Sequence, residues 1–324
     1  MKSYSLRVEG AQALLQLGEA PMPEPGPGQL LLKMRAAGLN RGEFIPGGLV
    51  KGGAAKPAGI EGAGEIVALG AGVTGLQLGQ RVMGRCPGAF AEYALMDARE
   101  ALPVPDGLAI EAAAAVPLTF LVVHDMLMLQ GRLKRGEWLL VTGVSSGVGV
   151  AALQVAKALG ARVIGSSGSP DKLERLKALG LDLALHTRAP DFAATVLDAT
   201  GGLGVDLVVN TVGGSVFAEC LRCMAFEGRL ATVGYVDRQL KAEIDLQALH
   251  VKRLTLFGVS NKLRSAEQRA AGVPAFAAEL LPAIADGRIR PLVDRVFPFD
   301  ALPAAQACME ANLHLGKIVL KISE

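Results

Sequence analysis

Aromatic side chains are scarce in this chain: Phe, Trp and Tyr together make up 4% of its 324 residues. A surface built to stack nucleobases needs more of them. An excess of one charge is also missing. Lys and Arg number 33 against 31 Asp and Glu, a formal net charge of +2. Nothing there marks a footprint for nucleic acid or an anionic membrane. The four cysteines, Cys86, Cys220, Cys223 and Cys308, are too sparse for a disulfide framework at this length. Cys220 and Cys223 have a spacing that metal and redox sites use. They lie, however, in "AECLRCMAFEG", which reads as a helix, with no second pair or histidine cluster nearby. Buried helix thiols are the simpler reading. The opening "MKSYSLRVEG" lacks the apolar core of a secretory leader. The uncharged run from Trp138 to Ala156 is long enough to cross a bilayer, but "TGVSSGVG" divides it into a strand and a helix. These absences point to small-molecule chemistry in a cytoplasmic chain, without nucleic-acid or membrane partners.

The length exceeds that at which single cores usually stop growing, so two domains are expected. The first hundred residues are short apolar runs punctuated by Gly and Pro. "PMPEPGPG" makes a turn and "QLLLKMRAAG" (29–38) a strand, and "AGEIVALG", "GQRVMGR" and "GAFAEYALM" continue the pattern. Strands at this spacing suggest a barrel-like domain. "IEAAAAVPLTFLVVHDMLML" (110–129) reads as a bridging helix. From residue 136 the texture becomes strand–helix alternation. Strands are expected at 138–143, 161–167, 183–186, 205–210, 228–234 and 253–259, which implies a parallel sheet covered on both faces. Two helical stretches follow residue 260, and "GKIVLKI" (316–322) returns as a strand to the first domain.

Two glycine clusters compete for a phosphate: "GIEGAGEIVALG" (59–70) and "TGVSSGVGV" (142–150). Only the second stands between a strand and a helix. Gly147, Val148 and Gly149 with Ala152 fit G-x-G-x-x-A, in which glycine lets backbone approach a pyrophosphate and the helix N-terminus meets its charge. The end of the second strand then selects the dinucleotide. NAD-binding chains carry an acid about 20 residues on. Here "GSSGSPDK" offers Ser166 and Ser167 and no carboxylate before Asp171. Ser169 reads as the next N-cap and Pro170 as N1, placing Lys172 near N3, where a cation opposes the helix dipole unless an anion is bound. Lys172 is also readable as a solvated surface lysine. On balance the pattern favours NADP(H). Further contacts are expected at strand ends: Asn210 with Val212, then Val233, Gly234 and Tyr235, then Phe257, Gly258 and Val259. Ordinary turns would serve equally there.

Through these motifs the chain resembles the medium-chain dehydrogenase/reductase superfamily, in its zinc-free quinone oxidoreductase branch. "AAGLNRGEF", "GIEGAG", "AAAVPLTFLVVHDML" and "GKIVL" resemble that branch's motifs, and "VSSGVG" its pyrophosphate loop, which adds Ser145 and Ser146. The resemblance implies a fold of class α/β: a Rossmann doubly wound parallel sheet (116–264) plus a GroES-like β-barrel domain (1–115 and 265–324). It also implies a homodimer joined near "RLTLFGV". Zinc-dependent relatives use a cysteine and a histidine where this chain has Asn40 and Ile60, so no metal is expected.

Without a Lewis acid, reduction of a quinone or α,β-unsaturated carbonyl suits the site better than alcohol oxidation. Asn40 is the candidate contact to developing oxyanion charge; satisfying backbone groups in a tight loop is its other reading. The branch's threonine and tyrosine on the bridging helix are replaced within Leu121-Val122-Val123-His124. His124 is therefore a candidate proton donor, or a packed structural histidine. Thr187 stands where the branch often has a tyrosine for the 2′-phosphate, with Arg188 beside it. Two alternatives stay open: a zinc-free alcohol or ketone oxidoreductase, and a dinucleotide-binding protein with little turnover. The substrate walls are expected in the loop at 41–57.

Overall fold

A computed structural model describes residues 1–9, 12–45 and 54–323. Much of the expected substrate loop, residues 46–53, lies outside the described residues. The chain divides into two compact units, one made of Met1–Leu121 and Arg264–Glu324, the other of Val122–Leu263.

In the first unit the strands are β1 (Lys2–Glu9), β2 (Gln12–Glu19), β3 (Gln29–Gly38), β4 (Lys56–Pro57), β5 (Glu61–Leu69), β6 (Arg81–Arg85), β7 (Tyr93–Asp97) and β8 (Leu102–Pro103). The second contributes β9 (Trp138–Thr142), β10 (Arg162–Ser167), β11 (Leu183–His186), β12 (Val205–Asn210), β13 (Met224–Thr232) and β14 (Thr255–Gly258). The chain returns to the first for β15 (Val293–Pro298) and β16 (Lys317–Lys321). Strand β3 is the organiser of unit one. It pairs antiparallel with β5, β7 and β16, and its Leu30, Leu32 and Met34 join Ile66, Phe90, Met96, Ile318 and Leu320 in one core. The first glycine cluster belongs to this packing. A Cβ at Gly62 would lie 2.7 Å from the Ala36 carbonyl oxygen, and Gly59 has a φ of +92°. No helix follows it; β5 runs on to pair with β6. β15, a parallel neighbour of β16, has no counterpart among the sequence expectations, because "VDRVFP" is half exposed and ends in proline.

The second unit's sheet is wholly parallel, in the order β11-β10-β9-β12-β13-β14. Counted along the chain this is 3-2-1-4-5-6, the dinucleotide-binding order with its switch point between the first and fourth strands. Central strands read as continuous apolar runs because both faces are covered; β9 and β12 are almost wholly buried. Two helical expectations change. The 110–129 stretch is α1 (Ile110–Ala114), α2 (Pro117–His124) and a π-helix over Asp125–Gln130. Pro117 breaks it, lacking a donor and disfavouring helical geometry at the residue before. "AECLRCMAFEG" is only half helix: Phe217–Arg222 is helical and β13 begins at Met224. The four cysteines are free and buried. Among the described residues no helix is long and apolar enough to cross a membrane.

Candidate functional site

The carboxyl edge of the parallel sheet gathers most of the candidate residues. After β9, Gly143 takes a φ of +66° and the chain turns into α3 (Gly147–Ala158). Ser146 is its N-cap, accepting from the Gly149 amide at 3.1 Å. A Cβ at Gly149 would stand 2.7 Å from the Gly143 oxygen and Val144 Cα, so only glycine lets this helix press onto the loop. The Val150 amide is the first to reach a backbone acceptor, the Ser146 carbonyl. The amides of Gly147 and Val148 precede it, without an intrahelical acceptor, and the first turn carries no acid. Such a cradle fits a pyrophosphate.

At the end of β10, Ser166 and Ser167 are buried. Ser166 Oγ accepts from the Gly143 amide at 3.4 Å, Ser167 Oγ lies 3.2 Å from Ser145 Oγ, and Ser167 Oγ also accepts from the Ser169 amide at 3.3 Å. The hydroxyls thus stitch the two loops together. Next, α4 (Pro170–Lys177) starts at Ser169, whose Oγ accepts from the Lys172 amide at 3.4 Å. The geometry adds Arg188 as a lining residue. A Cβ at Gly168 would be 2.7 Å from Arg188 Cγ and Cδ, so the arginine stem lies across the loop. Strand order carries the signal for it: His186, two residues earlier, is paired with Ser167.

Across the switch point, Asn210 is fully buried and tied into the turn that follows it. Its Oδ1 accepts from Thr142 Oγ1 and from the amides of Val212 and Gly213, each at 3.0 Å, and its Nδ2 donates to the Gly213 carbonyl at 2.9 Å. It shapes the turn carrying half-buried Val212, and its carbonyl accepts from the Val233 amide at 3.1 Å. Half-buried Val233 and Gly234 and exposed Tyr235 follow β13. Phe257 and Gly258 close β14, and the buried Val259 donates its amide to Thr232.

In unit one, Asn40 sits in a different kind of site. Its Nδ2 donates to Glu43 Oε1 at 2.9 Å and to Glu61 Oε1 at 2.8 Å, while its Oδ1 accepts from Lys317 Nζ at 2.8 Å. Lys317 Nζ also donates to the Leu39 carbonyl at 2.9 Å and to Glu61 Oε1 at 2.7 Å. Glu61 Oε2 accepts from the Leu118 amide at 2.7 Å, capping α2. Lys317 and Glu61 form an ion pair with side chains 7% and 0% exposed. Both amide hydrogens of Asn40 are therefore engaged within the chain. His124, closing α2, is 1% exposed, packed inward rather than presented. Among the described residues no group of three or more His, Cys, Asp or Glu side chains is placed to hold a metal ion.

The chain is similar to known proteins. The alcohol dehydrogenase GroES-like domain family matches residues 26–106 and the zinc-binding dehydrogenase family residues 147–273. A mycobacterial protein solved in complex with NADPH is 30% identical, with a TM-score of 0.89 over 99% of this chain and 100% of that one. A quinone oxidoreductase from Pseudomonas syringae pv. tomato DC3000 is 27% identical, with a TM-score of 0.87 over 99% of both chains. A phenolphthiocerol/phthiocerol polyketide synthase protein of Mycobacterium tuberculosis is 32% identical over 313 residues, 96% of this chain; the chain spans 14% of that protein's length. The chain belongs to the medium-chain dehydrogenase/reductase superfamily of oxidoreductases, in its zinc-free branch.

Proposed function

We propose that this protein is an NADPH-dependent, zinc-independent reductase of quinones or α,β-unsaturated carbonyl compounds. The observation that carries the cofactor assignment is the end of β10, which has no acid before Asp171 in the first turn of α4 and where Ser166, Ser167, the capped start of α4 with Lys172, and the overlying Arg188 surround one loop. An acid there would repel a 2′-phosphate; hydroxyls and cations attract it. Likeness to the NADPH complex supports the same choice. Bound NADPH supplies a hydride from its nicotinamide ring. Ser145 to Gly149 would hold the pyrophosphate, and the backbone at Val212, Val233–Tyr235 and Phe257–Val259 would orient the nicotinamide half. Asn210 acts one step back, by fixing that backbone. Asn40 holds the loop after β3 through its internal hydrogen bonds, and the proton comes from water or from His124, which is 1% exposed.

The test is NADPH and NADH oxidation with a quinone, an enone and a simple ketone. Turnover with quinone or enone and preference for NADPH are expected. Turnover of the ketone alone would favour the second reading, a zinc-free alcohol or ketone oxidoreductase, which a 29% identical NAD-dependent alcohol dehydrogenase structure supports. The protein is further read as a cytoplasmic homodimer with small-molecule partners. Its free, buried cysteines suit a reducing compartment. Among the described residues the edge strand β14 is unpaired on one side, and this unit exposes Phe226, Leu246 and Val251; a monomer in sedimentation would overturn that.

A further inference from the structure

Within the unit-one cluster, Glu43 is the carboxyl that no cation among the described residues pairs with. Its side chain is 4% exposed. Oε1 accepts from both the backbone amide and Nδ2 of Asn40, at 2.9 Å each. Oε2 is buried and, among the described residues, has no hydrogen-bond partner. The ammonium of Lys317 spends its three donors on the Leu39 carbonyl, Asn40 and Glu61. The other neighbouring cation, Arg41, donates to the Met309 carbonyl and to Asn312, and the charge of Glu310 falls on it. The cluster thus holds one ammonium against two carboxylates, and Glu61 has claimed it. An ionised Glu43 would leave a net negative charge and a bare oxygen in the interior, an arrangement that proteins avoid by neutralising the group. A proton on Oε2 removes both problems and leaves Oε1 accepting from Asn40.

We propose that Glu43 is a buried carboxylic acid that keeps its proton at neutral pH, holds the loop after β3 in place through Asn40, and makes that loop sensitive to alkaline pH. Glu43 is a positioning residue for Asn40. Its ionisation hands the Oε2 proton to solvent base and sets a second carboxylate beside Glu61, with only the Lys317 ammonium between them. Burial pushes the Glu43 carboxyl up to about 8; the Asn40 hydrogen bond opposes the rise, the Glu61 charge adds to it, and Lys317 opposes it again. In the unfolded chain the same group titrates near ~4.3. The folded state therefore binds the proton more tightly. Its stabilising effect is complete below ~4.3, declines as pH rises, and is lost above about 8.

Infrared titration of the intact wild-type protein tests this without any substitution. The carbonyl band of a neutral carboxylic acid is expected at pH 7 and should bleach between pH 7 and 9. Its absence at pH 7 overturns the proposal, whether or not any variant folds. In Glu43→Gln the band should vanish. The unfolding equilibrium constant of wild type should rise relative to that variant by about a hundredfold or more between pH 5 and 8.5, then level off. A stability difference that stays constant with pH would mean a plain structural contact and also overturns it. These readouts need no substrate or cofactor, so they stand or fall separately from the reductase reading.

Discussion

In the loop after β3, each donor of Asn40 and Lys317 ends on an atom of the same chain. In the loop after β9, Ser146 and Gly149 satisfy one another and the amides of Gly147 and Val148 stand open. Both loops follow a buried strand and both carry small polar residues. One is closed on itself by a buried ion pair, the other is held open by a glycine that admits no Cβ. The difference teaches where to look for a ligand. A polar residue in a motif marks a binding site only when its hydrogen-bonding capacity is left over once the fold has been satisfied.

The sharpest way to break this comparison is to remove the cation from the closed loop. Lys317→Met keeps the stem that covers the core but leaves Glu61, 0% exposed, beside Glu43 without its partner. Truncating one member of a buried pair costs about 3–5 kcal/mol. Denaturant unfolding should show that loss. A variant within about 0.5 kcal/mol of wild type would mean that the cluster does not hold the loop after β3 together.

The end of β10, stitched to the open loop through Ser145 and Ser167, should respond in binding rather than stability. Arg188→Ala and Lys172→Ala each remove a charge-assisted contact to a 2′-phosphate, worth about 1.5–3 kcal/mol. NADPH affinity should drop by about tenfold or more, while NADH affinity and the unfolding midpoint stay put. Equal losses for both cofactors would move the 2′-phosphate away from the end of β10.

How much of this was legible from the residues alone follows the same division. The parallel sheet was legible, because β9, β10 and β12 are almost wholly buried and each carries a short apolar stretch, between turn signals, that alternates with helical patterns along the chain. The cradle was legible too: a strand, a glycine turn and a helix are adjacent in sequence, so local rules suffice. β15 was not, because its signal is a half-exposed strand ending in Pro298, and its pairing with β16 is visible only in three dimensions. Nor was the closed cluster. Asn40, Glu61 and Lys317 are brought together across 256 to 277 positions of the chain, and no local pattern announces that an asparagine's amide will be spent on a distant carboxylate. Arg188 lies between these cases, since it becomes visible once β11 is set beside β10.

The smallest effect separates the cap of the open loop from its ligand. Ser146 Oγ accepts from the Gly149 amide at 3.1 Å and makes the first turn of α3 complete before any ligand arrives. Ser146→Ala loses that cap at a cost of about 1 kcal/mol, and it frees one more amide at the helix start. If the cradle is built for an anion, bound pyrophosphate can accept from the freed Gly149 amide and return part of the loss. The stability deficit of Ser146→Ala should therefore be smaller with saturating NADPH than without it. Thermal unfolding in both conditions reads the difference directly. A deficit that grows on adding NADPH would show that Ser146 itself, through its hydroxyl, touches the cofactor and that the cap is secondary.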